Sequence, residues 1–104
     1  MEFFTVLDQL TIDNFNPHLN NDFRLLPAPG AEPVVLQLIE ASELPTSAGD
    51  GRRQGFSLIF RGPADLYLPQ QIYTIEHEEM ETMEIFLVPI RPDDKGMRLQ
   101  AIFN

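Results

Sequence analysis

The sequence predicts a mainly β protein: a small antiparallel barrel of six strands preceded by a short helical segment. From residue 22 onward, apolar and polar residues alternate with a period of two, which is typical of strands. Clusters of turn-forming residues separate these runs at short, regular spacing, as in all-β barrels and sandwiches. The connections lack helical crossovers, so neighbouring strands should be antiparallel. A sandwich remains the alternative, but closure into a barrel removes the exposed strand edges that promote aggregation.

The first twenty residues carry the only helical pattern. Apolar residues recur there at spacings of three and four, which places them on one face of a helix; they are Phe3, Phe4, Leu7 and Leu10. Thr11 is a suitable N-cap, with Asp13 in the first turn. Leu10 before the cap and Phe15 after it suit a hydrophobic staple, and Pro17 should end the helix early.

The period-two runs define the six predicted strands. These are residues 23–26, 34–44, 56–61, 72–77, 83–90 and 97–104. The run 83–90 is apolar at nearly every position, which predicts a strand buried on both sides. Ser57 lies in the middle of its strand, where we expect an outward, unremarkable hydroxyl. The length fits one domain over 1–104, with 1–20 as the helical lead-in and 22–104 as the barrel.

Composition excludes several classes of function. The 104 residues include 16 acidic and 7 basic side chains, a net charge of −9, which argues against nucleic-acid binding. The absence of cysteine excludes disulfides, thiolate zinc sites and cysteine nucleophiles. The start has no signal-peptide character, and no apolar stretch approaches the roughly 20 residues that cross a bilayer. We therefore expect a cytoplasmic protein without a cofactor or membrane contact, and leave signal-independent export or incorporation into a particle open.

An acidic segment at residues 76–84 holds five carboxylates and His77. It could bind a divalent cation, since hard cations take several oxygen ligands. It could equally be a solvated hairpin tip whose charges prevent strands from pairing edge to edge. Strand alternation sends neighbouring carboxylates to opposite faces, so we favour the tip and predict no metal site. His18 and His77 are the only histidines and show no triad pattern, so we predict no catalytic residue and no enzyme.

Three segments are candidate partner-binding sites. Arg52 and Arg53 stand together on a glycine-flanked loop, where guanidinium groups could contact carboxylates of a partner. Leu66, Tyr67 and Leu68 lie in a connection that should pack over one barrel end or form a protein contact. In the same region, Arg61 is expected to bond carbonyl groups or to pair with Asp65. Phe3, Phe4 and Leu7 could dock on a partner rather than on their own barrel.

Several spaced motifs carry a resemblance to a known family. They are 56–63 (FSLIFRGP), 68–70 (LPQ), Tyr73, 76–77 (EH), 85–90 (IFLVPI), 96–98 (GMR) and 101–104 (AIFN), with Leu10, Thr11 and Phe15 near the start. From about residue 10 to 104 the chain resembles a bacterial family of small β-rich domains of unknown function. Members of that family are often encoded beside proteins with phage-tail-collar-like domains. The resemblance implies a role in a tail-like or surface assembly and carries over no catalytic residue.

Taken together, these features predict a non-catalytic structural or protein-interaction module. Its partner would be another protein, for which a neighbour-encoded tail-fibre-like protein is the candidate that the resemblance implies. A small-ligand-binding barrel with its mouth at one end is the alternative, and a metal-dependent enzyme is a weaker third. The sequence leaves the identity of the partner and the oligomeric state open.

Overall fold

Six antiparallel strands close into a barrel in the computed structural model, which describes residues 10–28, 30–45 and 55–103. The strands are β1 (Asp22–Leu26), β2 (Val34–Glu43), β3 (Phe56–Gly62), β4 (Gln71–His77), β5 (Met80–Asp93) and β6 (Gly96–Phe103). Their order around the barrel is β1-β2-β3-β6-β5-β4, and β4 pairs with β1 to close it. The predicted antiparallel six-stranded barrel is confirmed. Among the described residues, no helix is long and apolar enough to cross a membrane.

A short helix precedes the barrel, also as predicted. The helix α1 (Ile12–Phe15) continues into a 3₁₀ turn (Asn16–His18). Thr11 is its N-cap, and the Thr11 amide donates to the Asn14 side-chain oxygen at 2.7 Å. Pro17 lies in the 3₁₀ turn, where its missing N–H costs little. The rest of the predicted apolar stripe, Phe3, Phe4 and Leu7, lies outside the described residues.

Inward-facing side chains fill the barrel. Phe15 of α1 is fully buried at one end, where its ring centroid lies 5.8 Å from that of Phe56 and 5.7 Å from that of Phe103. Phe56 and Phe103 are register partners on β3 and β6, and their rings stack at 4.6 Å. Leu10 is also buried in this core, in keeping with the predicted staple position. Phe15 of α1 therefore packs into one end of the barrel and closes it.

The prediction that residues 83–90 are buried on both sides is wrong. Met83, Ile85 and Leu87 are buried, whereas Glu84 and Phe86 between them are exposed. The strand also runs from Met80 to Asp93, longer than predicted. Its first part pairs with β4 and its last part pairs with β6. The strand β5 is therefore shared by the β4–β5 and β5–β6 hairpins.

The strand buried on both faces is instead β3. Ser57 and Ile59, which alternate with the inward Phe56 and Leu58, are only 7% and 6% exposed. The Ser57 hydroxyl therefore lies on the outer face, but that face is covered at this position rather than exposed to solvent. It accepts a hydrogen bond from the side-chain amide of Gln100 on β6 at 3.0 Å, which satisfies a polar atom in a buried position.

The expected pairing of Arg61 with Asp65 is also wrong. Arg61 on β3 forms an ion pair with Asp93 at the end of β5, with Nη2 to Oδ2 at 2.6 Å and Nε to Oδ2 at 3.0 Å. The other carboxylate oxygen of Asp93 accepts the backbone amides of Lys95 and Gly96, both at 2.9 Å. Hydrogen bonding from Arg61 holds the pKa of Asp93 down at about 2. This carboxylate fixes the β5–β6 turn to β3.

Candidate functional site

Three exposed apolar side chains lie on the outer face of neighbouring strands. Ile72 of β4 is the register partner of Phe86 on β5. Val88 on β5 and Gln100 on β6 are register partners. Phe86 and Ile102 each lie two residues from this pair, on the same face of their strands. Ile72, Phe86 and Ile102 are 62%, 50% and 49% exposed. We refer to these three residues as the outer apolar row.

A shallow groove adjoins this row at Ile72. One wall consists of Leu26 at the end of β1 with Ala28 and Ala31 in the following loop, and the other consists of Ile72 and Thr74 of β4. The depression has a volume of about 290 Å³ and opens to solvent. We refer to it as the apolar groove, since none of the described residues that line it carries a charge.

The loop wall of the apolar groove is a tight turn. The amide of Ala31 donates to the carbonyl of Ala28 at 3.1 Å. Gly30 has a φ of +79°, a left-handed conformation that residues with a Cβ adopt at a cost. Pro27 has no amide hydrogen, so it cannot donate to a neighbouring strand. The chain after Leu26 therefore forms a loop and does not continue β1 as a strand paired with β4.

Acidic side chains flank both walls. Glu84 on β5 is exposed and is the register partner of Thr74. Glu32 follows the groove residue Ala31 and is also exposed. On β1, Arg24 is held by Glu76, with 3.5 Å between Nε and Oε1. An exposed pair of this kind contributes little to stability, but the carboxylate partly neutralises the charge of Arg24. The apolar groove therefore has a negative rim.

A second feature is a contact between the two histidines, 59 positions apart in the chain. The His18 and His77 ring centroids lie 4.4 Å apart. The backbone amide of Glu79 donates to His77 Nδ1 at 3.0 Å, so in the neutral ring Nε2 carries the proton. That nitrogen lies 3.3 Å from the side-chain oxygen of Asn21, which His18 Nδ1 also approaches at 3.2 Å. Asn21 thus bridges the two rings.

The surroundings of His77 favour its neutral form. Burial is the main cause that lowers its pKa, and His18 and Arg24 act in the same direction. The carboxylates of Glu79 and Glu78 oppose this and raise it. The ring also packs on Phe23, with centroids 4.6 Å apart.

The acidic hairpin tip is present, with Glu78 and Glu79 in the turn between β4 and β5. A polar depression of about 410 Å³ beside it is lined in part by Asp22, Arg24 and His77. Within 10–28, 30–45 and 55–103, no three His, Asp or Glu side chains converge in a way that could hold a metal ion.

In the connection at residues 66–68, two of the three side chains pack against the barrel, which was one of the two expectations for this segment. Leu66 and Leu68 are half-buried against the barrel core, whereas Tyr67 is 87% exposed. The Tyr73 hydroxyl donates to the carbonyl of Pro69 at 2.6 Å and ties the connection to β4. The other predicted contact residues, Arg52, Arg53, Phe3, Phe4 and Leu7, lie outside the described residues.

Sequence reasoning missed both the outer apolar row and the histidine pair. The signal for Phe86 was the apolar run 83–90, which was attributed to burial on both sides. No local signal joins His18 to His77, because their contact depends on the closure of β4 onto β1.

Comparison with known proteins identifies a family but no activity. Neither the curated proteins nor the solved structures include a significant match to this chain. Residues 10–103 match a family described as a domain of unknown function, DUF6916. The match includes all six strands and α1. The chain therefore belongs to the DUF6916 family.

Proposed function

We propose that this protein is a non-catalytic protein-interaction module. The observation that carries the proposal is the outer apolar row, because large apolar side chains exposed together on adjacent strands favour protein contact. Val88 and Ile90, half-buried on β5, extend apolar surface along the same strand. The net charge of −9 makes nucleic acid an unsuitable partner.

The filled barrel favours this proposal over a ligand-binding barrel. A small-molecule site needs a concave space in which most of the ligand is buried. Buried side chains from α1 and all six strands occupy the barrel interior instead; the largest include Phe15, Phe23, Leu36, Phe60, Ile75 and Leu87. The two depressions described above open to solvent.

The setting that we propose is a phage-tail-like or surface assembly, as a component or an accessory. Support for this part comes from the resemblance of the sequence motifs to a bacterial family often encoded beside phage-tail-collar-like proteins. Tyr67 offers a second contact point, because an aromatic ring that is 87% exposed can be buried by a partner. Arg52, Arg53, Phe3, Phe4 and Leu7 stay predicted contact residues.

Affinity purification from the native organism, followed by mass spectrometry, tests the proposal. The variant carries Ile72→Ser, Phe86→Ser and Ile102→Ser together. The control carries Val35→Ser, which changes a side chain of similar exposure, 53%, on the outer face of β2. We expect proteins captured by the wild type and the control to be lost from the triple variant, with circular dichroism confirming that it folds. Capture of the same proteins by all three would contradict the proposal.

A further inference from the structure

The strand β4 extends beyond its neighbour β1. Their pairing ends where Leu26, the last residue of β1, meets Thr74. From Gln71 to Tyr73, β4 continues to pair with β5 on its other side. In the described part of the chain, no strand pairs with Gln71–Tyr73 on the β1 side. The apolar groove occupies that position.

This arrangement has the shape of a strand-addition site. An extended peptide can bind next to an exposed strand edge, where main-chain hydrogen bonds supply affinity and alternate side chains enter pockets. Here the available edge is three residues long, so side-chain contacts must add to the main-chain bonds. Ile72 provides them, because it lines the groove and also belongs to the outer apolar row.

The charges around the groove specify the flanks of such a peptide. Glu32 stands beside one wall and Glu84 beside the other, both exposed. Arg24, on the strand that ends at the groove, is already paired with Glu76. A segment with Lys or Arg on each side of its apolar residues would be electrostatically complementary, and one with acidic flanks would be repelled.

We infer that the apolar groove binds an extended segment of another protein, with alternating apolar side chains and basic flanks, as an added strand beside Gln71–Tyr73. The inference rests on the proposed interaction function and names the partner class for that surface. The occupant covers Ile72 and reaches Phe86, and its flanks lie near Glu32 and Glu84.

Site-specific photo-crosslinking in the native organism tests where the partner lies. One protein carries p-benzoylphenylalanine in place of Ile72 and a control carries it in place of Val35. We expect the Ile72 position to crosslink to an apolar segment that has Lys or Arg within a few residues. A partner that co-purifies but crosslinks only at Val35, or through an acidic segment, overturns the inference and leaves the interaction function standing. Absence of any co-purifying protein refutes both.

A synthetic peptide of the crosslinked segment then tests the binding mode. Methylating two alternate backbone amides removes donors without changing side chains, and we expect about a tenfold loss of affinity. Replacing the basic flanks with Glu should weaken binding about tenfold at low salt and less at high salt. Two peptides are compared, one methylated at odd-numbered and one at even-numbered amides. If both bind as tightly as the unmethylated peptide, strand addition is overturned.

A groove-blocking variant provides the matched test on the protein. Ala31→Arg places a long cation in the groove wall, and Ala64→Arg makes the same change at an exposed turn elsewhere. We expect at least a tenfold loss of peptide affinity for Ala31→Arg and none for Ala64→Arg. Unchanged binding by Ala31→Arg would contradict the placement.

Discussion

The hydroxyl of Tyr73 links the barrel core to the connection that presents Tyr67. Its ring is 2% exposed, whereas the oxygen donates to the Pro69 carbonyl at 2.6 Å. Tyr73→Phe removes this bond and leaves the ring. A net protein hydrogen bond contributes about 0.5–1.5 kcal/mol. Because Pro69 is exposed, water can replace the lost donor, so we expect a loss of about 1 kcal/mol in the free energy of unfolding.

Thermal and urea unfolding at neutral pH measure this loss. For a domain of roughly 100 residues, 1 kcal/mol corresponds to a fall of about 4–8 °C in Tm. Tyr67→Phe is the control, since the same hydroxyl is removed from a side chain that is 87% exposed. We expect its Tm to stay close to that of the wild type.

The same residue predicts a pH effect with a defined sign. Burial raises the pKa of Tyr73 above its usual 10.0, so the unfolded chain releases this proton first as pH rises. The contribution of Tyr73 to stability is therefore fully present below pH 10 and is lost as pH rises above it. Tyr73→Phe should remove this contribution and flatten the alkaline decline. Phenolate absorbance in Tyr67→Phe follows Tyr73 alone, because the chain has two tyrosines and no tryptophan.

Two results would refute this reasoning. One is a Tyr73→Phe protein with wild-type Tm, which would show that the Pro69 contact does not hold the connection. The other is an alkaline decline of equal steepness in Tyr73→Phe and the wild type, which would assign that decline to other groups.

Three more predictions concern α1, the histidine pair and the β5–β6 turn. Phe15→Ala removes a fully buried ring and should lower the free energy of unfolding by about 3–5 kcal/mol in urea denaturation, whereas a loss below about 1 kcal/mol would show that α1 is not packed into the barrel end. The lowered pKa of His77 means that the unfolded chain binds the proton more readily, so Tm should fall as pH drops below 6.5, and less steeply in His77→Gln; equal slopes would contradict this. Asp93→Asn keeps the acceptor oxygen but removes the charge, so Tm should fall at neutral pH. That deficit should shrink as pH drops toward 2, where Asp93 itself becomes protonated, and a deficit that is constant with pH would assign the loss to geometry.

The fold could be predicted because its determinants are local. Thr11 as N-cap, the period-two runs and the turn clusters each act over a few residues, and each was placed within about three residues of its observed position. What failed was the assignment of faces. An apolar residue at an outward position, such as Phe86, looks the same in sequence as one buried under a neighbouring strand. The closed barrel shows the difference. Among the described residues, Phe86 stays half exposed, whereas its inward neighbours Ile85 and Leu87 are buried.

The partners of long-range contacts were harder to predict from the sequence than the faces of the strands. Arg61 was expected to bond carbonyl groups or the carboxylate four residues away, whereas the structure pairs it with a carboxylate 32 residues away. The β3–β6–β5 order brings Asp93 to Arg61, and this order does not follow the chain. The histidine contact has the same origin. Sequence reasoning therefore identified the elements of the fold better than the surfaces that those elements build together.

The charge of the chain bears on whether the outer apolar row binds a second copy or a different protein. Glu84 is exposed two positions from Phe86 on the same face of β5, so pairing two identical faces would bring equal charges together. A net charge of −9 per chain adds a general repulsion that salt would screen. Self-association should therefore be weak at low salt and increase as salt is added. Binding to a basic partner should show the opposite salt dependence, because screening removes attraction. Since apolar side chains supply contact area to either occupant, it is the acidic rim that favours a different, basic-flanked protein.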